Sequence, residues 1–218
     1  MVDLASTCMT PKKRTHIFEA FAKNNPSPVT ELKYSSPFEL MTAVMLSAQM
    51  TDKGVNKATE KLFPVANTPA KIVALGEEKL QSYLKSINYY RTKSKHLILA
   101  SQYLMEHFNS EVPNTREDLE KLPGIGRKTA NVILSVAFNK PTIAVDTHIF
   151  RVCNRTGLAP GKTPRAVEDQ LVKTTPPLFL QNAHHWLVLH GRYTCIARNP
   201  KCKQCIIASF CEYKDKKL

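Results

Sequence analysis

Three observations predict an all-α fold. Apolar residues recur at helical spacing, as where Leu97, Ala100, Leu104 and Phe108 fall on one face of one segment. No segment sustains the two-residue alternation of a half-buried strand. Helix start signals recur along the chain, several of them a capping hydroxyl followed by proline. About ten short helices are expected from this pattern.

The elements follow in order. Ser36-Pro37-Phe38-Glu39 is a capping box with proline at the first helical position, and it opens an apolar helix through Leu46. Asp52 is expected to cap the next segment, which ends near Phe63-Pro64. Thr68-Pro69 starts a short helix, and Glu77 to Ser86 reads as another. A one-faced stripe runs from Thr92 to Phe108. Asn114 or Thr115 caps a helix to about Leu122, and a second runs from about Arg127 to Phe138. Pro141 to Val145 is short and extended. Asp146 caps the helix after it, Thr163-Pro164 starts the next, and Phe179 to Arg192 is the last long one.

Composition sets the function class. A chain of 218 residues makes one domain or two compact ones, and it buries enough surface to need no disulfide staples. Lys and Arg number 31 against 18 Asp and Glu, a net charge of +13, which points to a polyanionic partner. No apolar run is long enough to span a bilayer, so no membrane role is expected. The N-terminal stretch has no apolar core after a basic start, so no secretory leader is expected and the protein is placed in the cytoplasm.

Four of the six cysteines crowd into residues 195–211 as Cys195-x6-Cys202-x2-Cys205-x5-Cys211. In a reducing compartment such a group reads as a metal or iron–sulfur site. Four thiolates on one loop suit a [4Fe–4S] cluster or a structural zinc ion. One CxxC pair with two wider gaps favours the larger object. Four closed ligands leave no position for substrate, so the role is structural. Arg192, Arg198, Lys201 and Lys203 offset the thiolate charge and are available to DNA phosphates. Cys8 and Cys153 stand apart as ordinary thiols, Cys153 in the core. His184, His185 and His190 lack the spacing of a helical metal site and are structural; Trp186 is core.

Leu122-Pro123-Gly124-Ile125-Gly126-Arg127-Lys128-Thr129 joins two helices. Gly124 and Gly126 let the backbone turn tightly and approach another molecule. The turn feeds a helix N-terminus, whose free N–H groups favour an anion such as a DNA phosphate.

This segment, with Leu46-Ser47-Ala48-Gln49, Ala144-Val145-Asp146-Thr147-His148, His190-Gly191-Arg192-Tyr193-Thr194-Cys195 and the cysteine loop, resembles the endonuclease III family of DNA repair glycosylases, of bacterial type. The matches run in the family's order from about residue 15 onward. The resemblance implies two helical lobes. Residues 30–140 form a helical barrel with a helix–hairpin–helix at about 115–138, and 1–29 with 141–218 form the iron–sulfur lobe. It also implies a monomeric, nucleoid-associated enzyme with a [4Fe–4S] cluster that acts on double-stranded DNA. Such an enzyme removes oxidised pyrimidines and cuts the abasic site by β-elimination.

Lys128 is then the nucleophile that forms a Schiff base, and Asp146 its paired carboxylate. An attacking amine must be uncharged, whereas free lysine titrates at about 10.4. A helix start and burial disfavour an ammonium; a nearby carboxylate favours it. Gln49 fills the gap left by the flipped nucleotide, and Tyr89 stands where the family has an apolar wedge, with Asn88 in place of its glycine. Arg127, His148 and Arg192 are further DNA contacts. Two alternatives are a monofunctional mismatch glycosylase of the same superfamily and a non-catalytic iron–sulfur DNA-binding protein. The first lacks the hairpin lysine and carries a further C-terminal domain.

Overall fold

The structure is a computed structural model that describes residues 9–217. In chain order its helices are α1 (Pro11–Asn24), α2 (Pro37–Ser47), α3 (Asp52–Leu62), α4 (Pro69–Leu75), α5 (Glu77–Leu84), α6 (Tyr90–His107), α7 (Arg116–Leu119), α8 (Arg127–Phe138), α9 (Thr147–Thr156), α10 (Pro164–Thr174) and α11 (Pro177–Tyr193). A 3-10 turn covers Cys202–Gln204, and the described residues contain no strand. The all-α expectation holds. The chain divides into two units: Thr30–Lys140, and the described residues of Met1–Val29 with Pro141–Leu218.

In the Thr30–Lys140 unit, α2 is the central element, and every residue from Phe38 to Leu46 is buried. A helix apolar on all sides belongs inside, and α2 packs against α3, α6 and α8. Ser36 Oγ accepts the Glu39 N–H at 3.2 Å, which is half of the expected capping box. The other half is displaced by one residue: Glu39 Oε2 accepts the N–H of Ser35 rather than of Ser36, at 2.7 Å. Thr51, not Asp52, caps α3, its Oγ1 accepting from the Gly54 N–H at 3.2 Å. Asp52 instead occupies the first turn, where its charge complements the helix dipole. Leu97, Ala100 and Leu104 are fully buried, as the stripe requires. The helix carrying them begins two residues earlier than its pattern suggests, at Tyr90. The helix after Thr115 stops at Leu119, so α7 is a single turn.

The other unit is built around aromatic side chains. Phe18 stacks on Phe179 with ring centroids 5.9 Å apart, and Phe21 and Trp186 complete the group. Trp186 Nε1 donates to the Asn25 carbonyl at 2.8 Å, so its one polar atom is satisfied. His184 Nδ1 accepts the Ala144 N–H, a structural role. Cys153 is fully buried in α9, and burial pushes its thiol far up. Cys8 lies outside the described residues. Where α11 passes α9, a Cβ on Gly191 would lie 2.8 Å from His148 Cβ and 3.0 Å from the His148 carbonyl oxygen. Only glycine permits that approach.

Candidate functional site

Cys195, Cys202, Cys205 and Cys211 line one small cavity of about 20 Å³. Among the described residues, no three or more His, Cys, Asp or Glu side chains converge as a single ion requires. Four thiols around one cavity are the donor set that a [4Fe–4S] group takes, so the residues fit it. Burial raises the Cys205 thiol to about 11 and pushes Cys211 up as well. Thiols so placed ionise when a metal takes the charge.

Donors already point at the sulfurs. Arg155 Nη1 lies 3.8 Å from Cys195 Sγ, and the Tyr213 N–H donates to Cys211 Sγ at 3.5 Å. Arg155 also holds the loop backbone, donating to the Ile196 and Ala197 carbonyls at 2.7 Å each. Lys216 does the same at the Cys211 carbonyl, 2.8 Å away. His190 Nε2 sits 3.8 Å from Cys205 Sγ, and burial lowers its imidazole to about 4, so it is neutral.

Asp146 is the N-cap of α9. Its Oδ1 accepts the Ile149 N–H at 2.8 Å. One turn on, Arg151 Nη2 donates to His148 Nδ1 at 3.3 Å and to the Gly191 carbonyl at 2.7 Å, while its Nε donates to the Cys195 carbonyl at 3.0 Å. The structure thus brings Asp146, His148 and the start of the thiol loop onto one framework. Sequence reasoning passed over Arg151 and Arg155. Their spacing of four, on a helix with buried Ile149, Val152 and Cys153, was the available signal. Arg192 is half-buried in the last turn of α11.

In the Thr30–Lys140 unit, the hairpin precedes α8. Gly124 has φ +81°, a conformation that favours glycine, and a Cβ there would collide with His96. Gly126 differs from the expectation. Its φ of −99° suits any residue, and a Cβ there would meet nothing within 4 Å. What glycine leaves at 126 is open space beside a helix start that no side chain caps. Arg127 and Lys128 follow in the first turn, Lys128 exposed. The first N–H groups of α8 are therefore available to an anion. Lys128 and Asp146 belong to different units.

The two wedge candidates share a backbone feature. Gln49 has φ +54° and Tyr89 φ +58°, both left-handed, a conformation that costs a residue with a side chain roughly 1–2 kcal/mol. Both are exposed, Tyr89 to 65%. Asn88 Nδ2 donates to the Gln49 carbonyl at 2.6 Å. Lys93 Nζ donates to the Leu46 and Ala48 carbonyls at 2.8 and 2.6 Å. An ammonium at a helix C-terminus satisfies carbonyls that the helix leaves unpaired. Burial lowers Lys93 below the ordinary lysine range. Lys93, and the contact that Asn88 makes with Gln49, were invisible to sequence reasoning, because the partners lie about forty residues upstream, beyond any local pattern.

Comparison with known proteins adds the family. One family model, described as HhH-GPD superfamily base excision DNA repair protein, matches residues 42–177. A second, the iron–sulfur binding domain of endonuclease III, matches residues 195–211. Endonuclease III of Escherichia coli (strain K12) is 58% identical over 208 residues, which cover 95% of this chain and 99% of that relative. Endonuclease III of Haemophilus influenzae is 59% identical with the same coverage of both chains. A solved structure described as a trapped endonuclease III–DNA covalent intermediate, in an estranged-adenine complex, aligns with a TM-score of 0.88 at 40% identity. It covers 94% of this chain and 96% of that one.

Proposed function

The chain belongs to the endonuclease III family of base excision DNA repair proteins, and from that premise we propose that it removes oxidised pyrimidines from duplex DNA through Lys128 and then cuts the strand at the abasic site. It is a DNA glycosylase and abasic-site lyase with a [4Fe–4S] cluster. The observation that carries the residue assignment is an exposed lysine in the first turn of a helix that no side chain caps. Phosphate is attracted there, and the amine beside it reaches the sugar.

The chemistry runs in balanced steps. The uncharged Lys128 Nζ attacks C1′, and the base leaves with the electron pair of the glycosidic bond. The sugar ring opens to a protonated Schiff base, which acidifies the C2′ proton. Loss of that proton expels the 3′ phosphate by β-elimination, and hydrolysis of the imine returns the lysine. Oδ1 of Asp146 is engaged in the cap, so we assign Oδ2 to the positive charge that develops on the sugar. Gln49 and Tyr89 fill the space left by the extruded nucleotide. Gly124, Gly126, Arg127, His148 and Arg192 meet the DNA backbone.

When bound, the cluster supplies iron–thiolate bonds that cross-link residues 195–211. Arg155, Tyr213 and Lys216 fix the loop around it. Residues 30–140 serve as the barrel domain, and 1–29 with 141–218 as the cluster domain. No helix among the described residues is long and apolar enough to cross a membrane. We place the enzyme in the cytoplasm, on the nucleoid, as a monomer.

Borohydride trapping tests this reading. Wild-type protein should form a covalent adduct with duplexes carrying an abasic site or an oxidised pyrimidine, and Lys128→Ala should form none. An adduct in the variant refutes the nucleophile assignment.

A further inference from the structure

We propose that Asn88 is a positioning residue for the wedge pair, fastening Gln49 and Tyr89 into one preset two-pronged tip, with Lys93 as its buried support. The inference rests on the reading of Gln49 and Tyr89 given above and adds what holds them. Gln49 and Tyr89 lie forty residues apart in the chain, yet each sits at a left-handed kink beside the other's loop. The bond between the two loops is Asn88 Nδ2 to the Gln49 carbonyl, 2.6 Å. Asn88 is the immediate neighbour of Tyr89, so one side chain links the backbones that carry both tips.

Lys93 secures the same loop from beneath. It lies one turn into α6, its backbone N–H donating to the Tyr89 carbonyl at 3.0 Å while its ammonium holds the Leu46 and Ala48 carbonyls. The end of α2 and the start of α6 are thus joined by three side-chain hydrogen bonds to three backbone carbonyls. Such a frame keeps two exposed side chains in strained backbone conformations without burying them. Its benefit is entropic: prongs already ordered lose less freedom on entering the base stack. Asn88 itself has no left-handed backbone, so the position does not demand glycine. The amide uses that latitude to supply a donor that glycine lacks.

The test uses full-length holoenzyme in wild-type, Asn88→Ala and Asn88→Asp forms. The aspartate keeps the shape but sets an acceptor against the Gln49 carbonyl. Two readouts apply: the rise in 2-aminopurine fluorescence in a duplex with that base at the extruded position, and the single-turnover cleavage rate of an abasic strand when paired divided by its rate when unpaired. An unpaired strand has no stack to open. Both substitutions should lower the fluorescence rise and the paired-to-unpaired ratio by about threefold or more, the loss expected from one hydrogen bond. A ratio that falls by less than that, or equal losses on both strands, overturns the positioning role. Wild-type protein that opens the duplex but cleaves neither strand would instead refute the lyase reading, and the fluorescence comparison would still decide the role of Asn88.

Discussion

Asp146 Oδ1 accepts the backbone N–H of Ile149 at 2.8 Å, so the carboxylate assigned to the sugar is also the N-cap of α9. The two roles separate by substitution. Asparagine caps a helix about as well as aspartate but carries no charge, whereas alanine does neither.

Asp146→Asn should therefore leave stability within about 0.5 kcal/mol of wild type. Its cleavage rate should fall on the order of a hundredfold, the usual cost of one electrostatic contact to a transition state. Asp146→Ala should lose the same activity and also about 1 kcal/mol of stability. For a chain of this size that is a fall of about 2–4 °C in Tm. Calorimetry beside single-turnover kinetics checks this. Equal stability loss in both variants would show that the cap acts through charge alone.

Lys128 is exposed and caps nothing, so Lys128→Ala should abolish cleavage while changing stability by less than about 0.5 kcal/mol. A large Tm change in that variant would mean that its loss of activity reports folding rather than chemistry.

Cysteine substitution should remove the cluster and loosen one loop. Cys205→Ser is expected to reduce iron content and visible absorption, and to open residues 195–211 to limited proteolysis, because iron–thiolate bonds no longer restrain them. Elemental analysis of wild-type protein should find iron. Stoichiometric zinc in colourless protein would contradict the assignment.

Binding to undamaged duplex should weaken steeply with salt. A net charge of +13 and an open helix start both favour phosphate contacts. With about four phosphates engaged, raising salt from about 50 to 200 mM should cost on the order of a hundredfold in affinity. A flat dependence measured by fluorescence anisotropy would remove phosphate from the account.

Acid should destabilise the unit that holds His185. Burial keeps its imidazole below the ordinary histidine range. The unfolded chain, with histidine near about 6.5, then takes up the proton more readily than the folded one. The stability this contributes is present above about pH 6.5 and is lost as pH falls through the lower folded value. His185→Gln should flatten the decline in Tm between about pH 6.5 and 5; an unchanged slope assigns the decline to other groups.

Much of this was legible in the sequence because it is local. The cap at Asp146, the hairpin glycine at 124 and the α8 boundaries each depend on a few neighbouring residues. The four thiols were legible because their spacing is itself the signal. Adjacent candidates blurred the boundaries. Thr51 and Asp52 can both cap, and the hydroxyl is the one used. Tyr89 is the N-cap of α6 and makes no side-chain cap, so no start signal marked Tyr90. The contacts of Asn88, Lys93 and Arg151 join segments far apart in the chain, and no periodicity encodes such pairs.

Gly191 carries a last consequence. The backbone of α11 runs against His148 with no room for a methyl group, and the carbonyl that Arg151 grips belongs to Gly191 itself. An alanine there would wedge the two helices apart and draw that oxygen away from the guanidinium. One hydrogen atom thus gauges the spacing between the loop that carries metal and the turn that carries Asp146, and the tolerance of that gauge is a fraction of an ångström.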